Sequence, residues 1–282
     1  MKVVEKIKDL KLLVAQAKTA EKKIGFVPTM GALHDGHFSL IKAAKEQTDF
    51  VVVSIFVNPT QFGPTEDIDK YPRAFDADTA GCKKFGVDIV FAPSAAEMYP
   101  SKNLTWVNVE KLTDSLCGKS RPGHFRGVAT VCAKLFNIVE PDIAFFGQKD
   151  AQQSIVIKRM IADLNMPLKI VVCPTIREPD GLAMSSRNRY LDAGERKDAA
   201  LIYAALQKAE LFITAGLLKS SELIGEMEKI LKLSSRIKIE YISILNCRTL
   251  EEIDRAKGKI LIAVAAKVGK ARLIDNIMLD IE

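Results

Sequence analysis

Histidine, tryptophan and paired cysteines are scarce in this 282-residue chain. It contains three histidines, one tryptophan and five cysteines, with no Cys-x-x-Cys or Cys/His spacing typical of zinc sites. An odd number of widely spaced cysteines argues against a disulfide framework. We therefore expect reduced thiols and a cytoplasmic protein.

Long apolar segments and blocks of like charge are also missing. No run approaches the ~20 apolar residues that span a bilayer, and the charged N-terminus has no signal-peptide core. The net charge of +6, from 41 basic and 35 acidic residues, is spread along the chain. This mild excess suits a small anionic substrate and is weak evidence for nucleic acid, so we expect neither a membrane nor a nucleic-acid partner.

The two glycine-rich nucleotide motifs, Gly-x-Gly-x-x-Gly and Gly-x-x-x-x-Gly-Lys-Ser/Thr, are absent. After an apolar run comes instead the stretch Pro28-Thr29-Met30-Gly31-Ala32-Leu33-His34-Asp35-Gly36-His37. The spacing of residues 38–45 predicts a helix, which puts both histidines at a strand-to-helix turn. A helix start offers unpaired backbone N–H groups and a partial positive charge, so the turn suits a nucleotide phosphate. The alternative is that His34 and His37 are ordinary loop or capping residues.

Alternating strand and helix patterns predict an α/β fold. Residues 3–18 have the spacing of an amphipathic helix, and five apolar runs predict buried parallel strands at residues 24–27, 50–57, 86–93, 141–146 and 168–173. We expect a Rossmann-like, doubly wound parallel sheet in residues 1–175 and a smaller C-terminal α+β domain in residues 176–282.

Weaker patterns predict three further elements. The expected elements are a short strand at residues 105–109, one helix over residues 193–213 and a helical turn at residues 249–256.

Polar residues follow two of the predicted strands. Asn58 and Gln61 come after one, and Lys149, Asp150 and Gln153 after another. In open α/β sheets, ligands bind at the carboxyl ends of the strands. Lys149 suits a phosphate, and Asp150 suits a ribose hydroxyl or supports the lysine. Asn58 and Gln61 fit either a hydroxy acid or plain loop formation.

Three other polar segments have more than one interpretation. Ser185-Ser186-Arg187 is a second phosphate-binding candidate or a flexible loop. Arg121, His124 and Arg126 suit an anion or a surface loop, and their roles stay open. The acidic residues of 64–80 suit a solvated surface better than a divalent ion, so no metal ligand is assigned.

Five motifs in this order resemble the pantoate–β-alanine ligase family. They are Pro28 to His37, Asn58-Pro59-Thr60-Gln61-Phe62, Arg121-Pro122-Gly123-His124-Phe125, Phe146 to Gln153 and Met184-Ser185-Ser186-Arg187-Asn188. The resemblance runs nearly from end to end. The His-x-Gly-His and Ser-Ser-Arg pieces alone resemble the wider superfamily of nucleotidylyltransferases and class I aminoacyl-tRNA synthetases. Asp35 stands where glutamate is more usual, and we expect no change of chemistry.

The resemblance implies an AMP-forming ligase. ATP and (R)-pantoate give pantoyl adenylate and pyrophosphate, and β-alanine then attacks the acyl carbon to give pantothenate and AMP. It also implies a Mg²⁺ requirement, a homodimer, and an N-terminal domain for ATP and pantoate beside a C-terminal lid domain.

The family's functional residues carry over onto matching positions of this chain. ATP would be bound by Met30, Gly31, Ala32, Leu33, His34, Asp35, Gly36, His37, Gly147, Gln148, Lys149, Asp150, Ile176, Met184, Ser185, Ser186 and Arg187. Pantoate would be held by Gln61 and Gln153, with Asn58 beside them and Gln61 also near the β-alanine site. The catalytic residues would be His37, the family's proton donor, with His34 and Lys149.

Two other functions compete with this interpretation. An adenylyltransferase for a phosphorylated acceptor would need extra arginine or lysine in place of Gln61 and Gln153. An RNA-binding module would need a basic face with aromatic residues, which one tryptophan, five tyrosines and no basic block disfavour. A tRNA synthetase is disfavoured because the C-terminal segment is too short for an anticodon-binding domain.

Overall fold

The chain folds into two compact units. The computed structural model describes residues 1–63, 68 and 71–281. The first unit comprises Met1–Gly147 with Val156–Pro174, and the second comprises Gln148–Ile155 with Thr175–Glu282. Within the acidic segment singled out above, Glu66, Asp67 and Asp69 lie outside the described residues.

The first unit is built on a six-stranded parallel sheet with the order β1-β4-β3-β2-β5-β6. The strands are β1 (Lys2–Val4), β2 (Ile24–Thr29), β3 (Phe50–Ile55), β4 (Ile89–Phe91), β5 (Ile143–Gly147) and β6 (Lys169–Cys173). The parallel α/β sheet predicted from the sequence is therefore confirmed.

Helices cover both faces of this sheet. They are α1 (Ile7–Thr19), α2 (Asp35–Gln47), α3 (Phe75–Lys84), α4 (Ala95–Met98), α5 (Leu116–Ser120) and α6 (His124–Val139), and α7 (Ala151–Asp163) runs from the second unit into the first. Because side chains alternate along a strand, neighbouring residues of β2 meet different helices. Val27 packs in one buried cluster with Ile41 of α2, whereas Phe26 makes an edge-to-face contact with Phe136 of α6 at 6.3 Å between ring centroids.

Two sequence predictions for this unit are wrong. Val4 belongs to β1, where it pairs with Phe91, and not to the first helix. The adjacent β-branched Val3 and Val4 favour this extended backbone. Residues 105–109 form no strand among the described residues. The N–H of Val107 instead donates to the hydroxyl of Thr130 at 3.0 Å.

The second unit packs three helices on an antiparallel sheet of order β7-β8-β9. Its helices and strands are α8 (Ala193–Ala199), α9 (Leu201–Thr214), α10 (Ser220–Leu231), β7 (Ile237–Asn246), β8 (Gly258–Val268) and β9 (Ala271–Ile281). Alternate residues of β8, including Ile260 and Ile262, share a buried core with Leu206 of α9 and Met227 of α10. This arrangement confirms the predicted small α+β unit.

Two boundaries in this unit differ from prediction. The expected single helix over 193–213 is divided at Ala200 into α8 and α9. Residues 249–256 contain no helix, because Leu250 has a left-handed backbone (φ 55°) and Glu252 forms an isolated bridge with Leu245.

Candidate active site

The histidine-bearing turn between β2 and α2 has a sharply folded backbone. Gly31 and Ala32 are both left-handed, with φ of 83° and 52°. A Cβ on Gly31 would lie 3.0 Å from a carboxylate oxygen of Asp78 and 3.1 Å from Ile55. Glycine is therefore required at position 31 by both its φ and its close neighbours. Ala32 holds a conformation that costs a residue with a Cβ roughly 1–2 kcal/mol.

Asp78 of α3 holds this turn. Its carboxylate accepts the N–H of Ala32 at 2.8 Å and the N–H of Leu33 at 2.7 Å, and only 2% of the residue is exposed. The expectation of a solvated acidic surface is therefore wrong for Asp78. A sequence signal existed: Asp78 and the buried Cys82 stand four residues apart, on one face of the helix.

The two histidines cap helix α2. Nδ1 of His34, the N-cap residue, accepts the N–H of Gly36 at 3.2 Å, and Nδ1 of His37 accepts the N–H of His34 at 3.3 Å. This is a reciprocal capping box with histidine in both roles. Because each Nδ1 accepts, the proton of each neutral ring is assigned to Nε2. The ring centroids lie 4.2 Å apart, so two Nε2–H donors belong to one turn.

The backbone donors of this turn are mostly occupied. Besides the amides already bonded to Asp78, His34 and His37, the N–H of Gly31 donates to the hydroxyl of Thr29 at 3.2 Å. The prediction that the N–H groups of this turn are unpaired is therefore wrong for Gly31, Ala32, Leu33, His34 and Gly36, and phosphate binding by the turn stays a prediction. The turn offers an anion imidazole side chains instead.

A buried amide network follows β3. Asn58, 1% exposed, donates through Nδ2 to Oε1 of Gln61 at 3.1 Å and to the carbonyl of Gly127 at 3.3 Å. Its own oxygen accepts from the hydroxyl of Tyr99 at 2.9 Å. These bonds fix which end of the Gln61 amide is the donor, and Gln61 Nε2 lies 3.0 Å from the sulfur of Met30. Asn58 thus orients Gln61, and a direct contact between Asn58 and substrate stays a prediction.

His124 and Arg121, whose roles the sequence left open, hold the main chain of Gln61. Nδ1 of His124 lies 2.9 Å from the Gln61 carbonyl, so that nitrogen carries the proton. A guanidinium nitrogen of Arg121 lies 3.1 Å from Nε2 of His124. Arg126 stacks over Trp106 at 4.6 Å from the ring centroid.

In the second unit, Lys149 and Asp150 lie on a short 3₁₀ turn, Gln148–Asp150, that precedes α7. The lysine nitrogen is 3.8 Å from the Asp150 carboxylate. The carbonyls of Gln148 and Lys149 accept from Asn276 of β9. Gln153 is half-buried in the first turn of α7.

The Ser-Ser-Arg segment belongs to a well-supported loop of the same unit. The N–H of Met184 donates to the carbonyl of Ile176 at 2.9 Å, and the hydroxyl of Ser185 accepts the N–H of Arg187 at 3.3 Å. Arg177, next to Ile176, makes a two-pronged ion pair with the buried Asp275 at 2.6 and 3.1 Å. These bonds favour an ordered loop over the flexible alternative.

The cysteines form no disulfide, and two of them are poor nucleophiles. All five are free. Burial, followed by the nearby charge of Asp78, raises the pKa of Cys82 to about 12, and burial raises the pKa of Cys132 to about 12. Thiols with such pKa values stay protonated and inert at neutral pH.

Metal cages and membrane spans are also absent from the described part of the chain. Within it, no group of three or more His, Cys, Asp or Glu side chains is placed to hold a metal ion. Among the same residues, no helix combines the length and apolarity that crossing a bilayer requires.

The parallel sheet with helices on both faces places the protein in the class of α/β folds that bind ligands at the carboxyl ends of their strands, where β2 leads into the histidine pair. Comparisons give the particular family. The family model for pantoate-beta-alanine ligase matches residues 2–278. Pantothenate synthetase from Caldicellulosiruptor bescii is 54% identical over 280 residues, with 99% of each chain covered.

Solved structures agree. Pantothenate synthetase from Thermus thermophilus matches with a TM-score of 0.94 and 42% identity, covering 98% of this chain and 99% of that one. Pantoate-beta-alanine ligase from Francisella tularensis, complexed with beta-gamma ATP and beta-alanine, matches with a TM-score of 0.81 and 38% identity over 99% of this chain and 97% of its own.

The chain belongs to the pantoate–beta-alanine ligase family. The reaction of that family is the ATP-dependent condensation of (R)-pantoate with β-alanine, through pantoyl adenylate, to give pantothenate, AMP and pyrophosphate. The chain is accordingly an AMP-forming ligase of pantothenate biosynthesis.

Proposed function

We propose that the paired imidazoles of His34 and His37 bind the phosphates of ATP and promote the transfer of AMP to pantoate. The observation that carries this assignment is the reciprocal capping box, in which each Nδ1 accepts a backbone N–H. Each neutral ring then has its proton on Nε2, where it donates to a phosphate oxygen. This arrangement holds both donors before ATP binds, and preorganised donors are the most effective ones.

The first half-reaction needs fixed positive donors and no protein nucleophile. A carboxylate oxygen of pantoate attacks the α-phosphorus, a P–O bond forms, and the bond to the pyrophosphate oxygen breaks. Negative charge grows on the non-bridging and leaving oxygens, and we assign His37, His34 and Lys149 to stabilise it. We also assign to ATP Ser185, Ser186, Arg187, Met30 to His37, Gly147 to Asp150, Ile176 and Met184, as the resemblance to the family implies.

Pantoate is bound by neutral amides in this proposal. Asn58 fixes the Oε1 end of Gln61, so Gln61 Nε2 presents a donor that faces the weakly accepting sulfur of Met30. A pantoate oxygen is a far better acceptor than a thioether. Gln153 supplies the second amide. Neutral donors bind the acid without holding its charge so strongly that attack is slowed. In the second half-reaction the amine of β-alanine attacks the acyl carbon and AMP leaves.

Mg²⁺ is part of the proposal as a partner of ATP. Protein sites for Mg²⁺ commonly use one or two carboxylates and the phosphates themselves, which fits a described chain without a three-ligand cluster. When bound, the ion neutralises charge on the pyrophosphate leaving group. The residues described do not single out a carboxylate for it, and Asp150 beside Lys149 stays assigned to ATP.

We also propose a cytoplasmic homodimer. Five free thiols fit a reducing compartment. Residues 101–109 form no strand within the described chain, and they expose Leu104 (84%) and Trp106 (37%). A segment outside the sheets that presents apolar side chains to solvent suits pairing with a second copy. A monomer in sedimentation experiments at micromolar concentration would overturn the dimer.

The test of the proposed site is ATP–pyrophosphate exchange with and without (R)-pantoate, followed by β-alanine-dependent AMP formation. We expect exchange only with pantoate, and Gln61→Ala to raise the KM for pantoate at least about tenfold while the KM for ATP stays unchanged. The exposed Gln47→Ala is the matched control. Pantoate-independent exchange, or equal KM values for pantoate in both variants, would refute the assignment.

A further inference from the structure

We propose that Asn276 of β9 is a positioning residue for the Lys149 turn, and that it acts in adenylation through Lys149. The inference rests on the proposed role of Lys149 in binding ATP. Asn276 lies on the C-terminal sheet, far along the chain from any motif that resembles the family. Its side-chain amide nitrogen donates to the carbonyl of Gln148 at 3.0 Å and to the carbonyl of Lys149 at 2.9 Å.

The chemistry of these contacts fixes the orientation of the amide. Two carbonyl oxygens can be bound at once only by the NH₂ end, because the oxygen end would repel both. Both hydrogens of Asn276 are thus used on consecutive carbonyls of one turn. Two bonds from one planar group fix the direction of the peptide plane that carries the Lys149 side chain.

The support behind Asn276 is rigid. The residue is 3% exposed, and its own N–H donates to Oδ1 of Asp275 at 2.8 Å. Asp275 is in turn held by the two-pronged ion pair with Arg177. The dipeptide Asp275-Asn276 of β9 therefore holds two segments. Asn276 binds the Lys149 turn, and Asp275 binds Arg177, which follows Ile176.

Asn276 also carries an atom that lowers the stability of the fold. Its Oδ1 is buried and has no hydrogen-bond partner among the described residues. A buried acceptor without a partner is destabilising, so each such atom calls for an explanation. We infer that the unpaired oxygen is tolerated because the other end of the amide positions the lysine.

The test is a double-mutant cycle on the full-length enzyme, with pantoate-dependent pyrophosphate release as the readout. We expect Asn276→Ala to lower kcat/KM for ATP about tenfold, as a displaced binding group does. Lys149→Ala should lower it about 10²–10³-fold, as for the loss of one preorganised donor. In the Lys149→Ala background, Asn276→Ala should add less than about twofold, because residues that act through one another are not additive.

Two controls separate positioning from folding. Asn246→Ala removes another asparagine of the same sheet, whose oxygen accepts from Arg248 and Thr249, and should leave kcat/KM for ATP unchanged. The isosteric Asn276→Asp turns the donor into an acceptor and should impair ATP use at least as much as Asn276→Ala. Thermal unfolding of every variant shows which remain folded, and if Asn276→Ala does not fold, Asn276→Asp enters the cycle in its place.

The outcomes are distinct. If Lys149→Ala has wild-type activity, the proposed role of Lys149 fails, and this inference with it. If Lys149→Ala is impaired while Asn276→Ala and Asn276→Asp are folded and as active as wild type, only the inference fails. Additive effects in the double mutant would likewise overturn it, because they would show that Asn276 does not act through Lys149.

Discussion

The turn after β2 and the turn after β5 are held by opposite chemistry. In the first, the buried carboxylate of Asp78 accepts two backbone N–H groups, those of Ala32 and Leu33. In the second, the buried amide of Asn276 donates to two backbone carbonyls, those of Gln148 and Lys149. Both turns are thus fixed by one side chain with two bonds, although the bonds run in opposite directions.

The difference bears on the role proposed for the histidines of the first turn. Because the carboxylate of Asp78 accepts two of the amides, the proposal assigns the phosphate contacts to imidazole side chains. In the second turn the supporting bonds use only carbonyls, and a lysine supplies the positive charge directly. The neutral Asn276 adds no negative charge beside that lysine. In each turn, the side chain that supports the backbone leaves the proposed phosphate contacts to other side chains, which are imidazoles in the first turn and a lysine in the second.

The largest expected effect comes from removing the imidazole of His37 while keeping its cap. Glutamine is a normal N3 residue of a capping box, so His37→Gln preserves an acceptor for the N–H of His34. We expect kcat for pantoate-dependent pyrophosphate release to fall about 10²–10³-fold in both His37→Gln and His37→Ala. Only His37→Ala should also lose stability, by about 1 kcal/mol.

Steady-state kinetics and thermal unfolding of the two variants check this separation. A His37→Gln enzyme within threefold of wild-type kcat would show that the histidine caps the helix and does nothing more. That result would refute the proposal that the histidine side chains of the first turn donate to phosphate.

The next effect comes from Asp78. Removing its carboxylate in Asp78→Ala leaves the buried N–H of Ala32 and the partly buried N–H of Leu33 without partners, at a cost of about 2–3 kcal/mol of unfolding free energy. The left-handed Ala32 loses its support, so kcat/KM for ATP should fall about tenfold. Asp76→Ala, two residues earlier and exposed on the same helix, should change stability by less than about 0.5 kcal/mol.

Chemical denaturation measures the free energy of unfolding of the two aspartate variants, and steady-state kinetics measure their kcat/KM for ATP. Equal stability and equal ATP kinetics for both would contradict the assigned role of Asp78.

The smallest effect at neutral pH comes from two buried thiols of the first unit, which make stability depend on pH only in the alkaline range. Burial and Asp78 raise the pKa of Cys82 to about 12 from its ordinary value of 9.0. A raised thiol pKa means that the unfolded chain ionises first, so stability is intact below pH 9 and is lost as pH rises toward 12. Between those two pKa values, one such thiol lowers the free energy of unfolding by about 1 kcal/mol per pH unit.

Denaturation curves between about pH 9 and pH 11 measure this effect. Cys82→Ala and Cys132→Ala should each lose stability less steeply than wild type over this range, since each removes one buried thiol. Curves parallel to wild type in both variants would show that the folded-state thiols are not perturbed.

The sequence predicted the parallel sheet, the histidine turn and a small C-terminal α+β domain because each has a local signal. Apolar runs identify the parallel strands, whereas the antiparallel pairing of β7, β8 and β9 was not predicted. Val4 was misplaced because its helical spacing competes with pairing to Phe91, a partner distant along the chain. The supports of both turns are long-range in the same way: Asp78 lies 46 residues from Ala32, and Asn276 lies 127 residues from Lys149. No local pattern specifies such a partner.

The same limit explains the misjudged amides of the first turn. A helix start leaves its first N–H groups without helical partners, and this much is visible in a sequence. Which groups then bind them depends on tertiary structure. Here Asp78 and the two histidines accept them. The histidine pair was visible locally, whereas the pairing of Asp78 with this turn was not.

The most direct test of these paired supports is a reciprocal, isosteric exchange. Asp78→Asn places an amide against two N–H groups, and Asn276→Asp places a carboxylate against two carbonyls. In folded protein, pantoate-dependent pyrophosphate release at limiting ATP should fall about tenfold in each variant. Wild-type rates in both folded variants would contradict the claim that each turn is positioned by its single buried side chain.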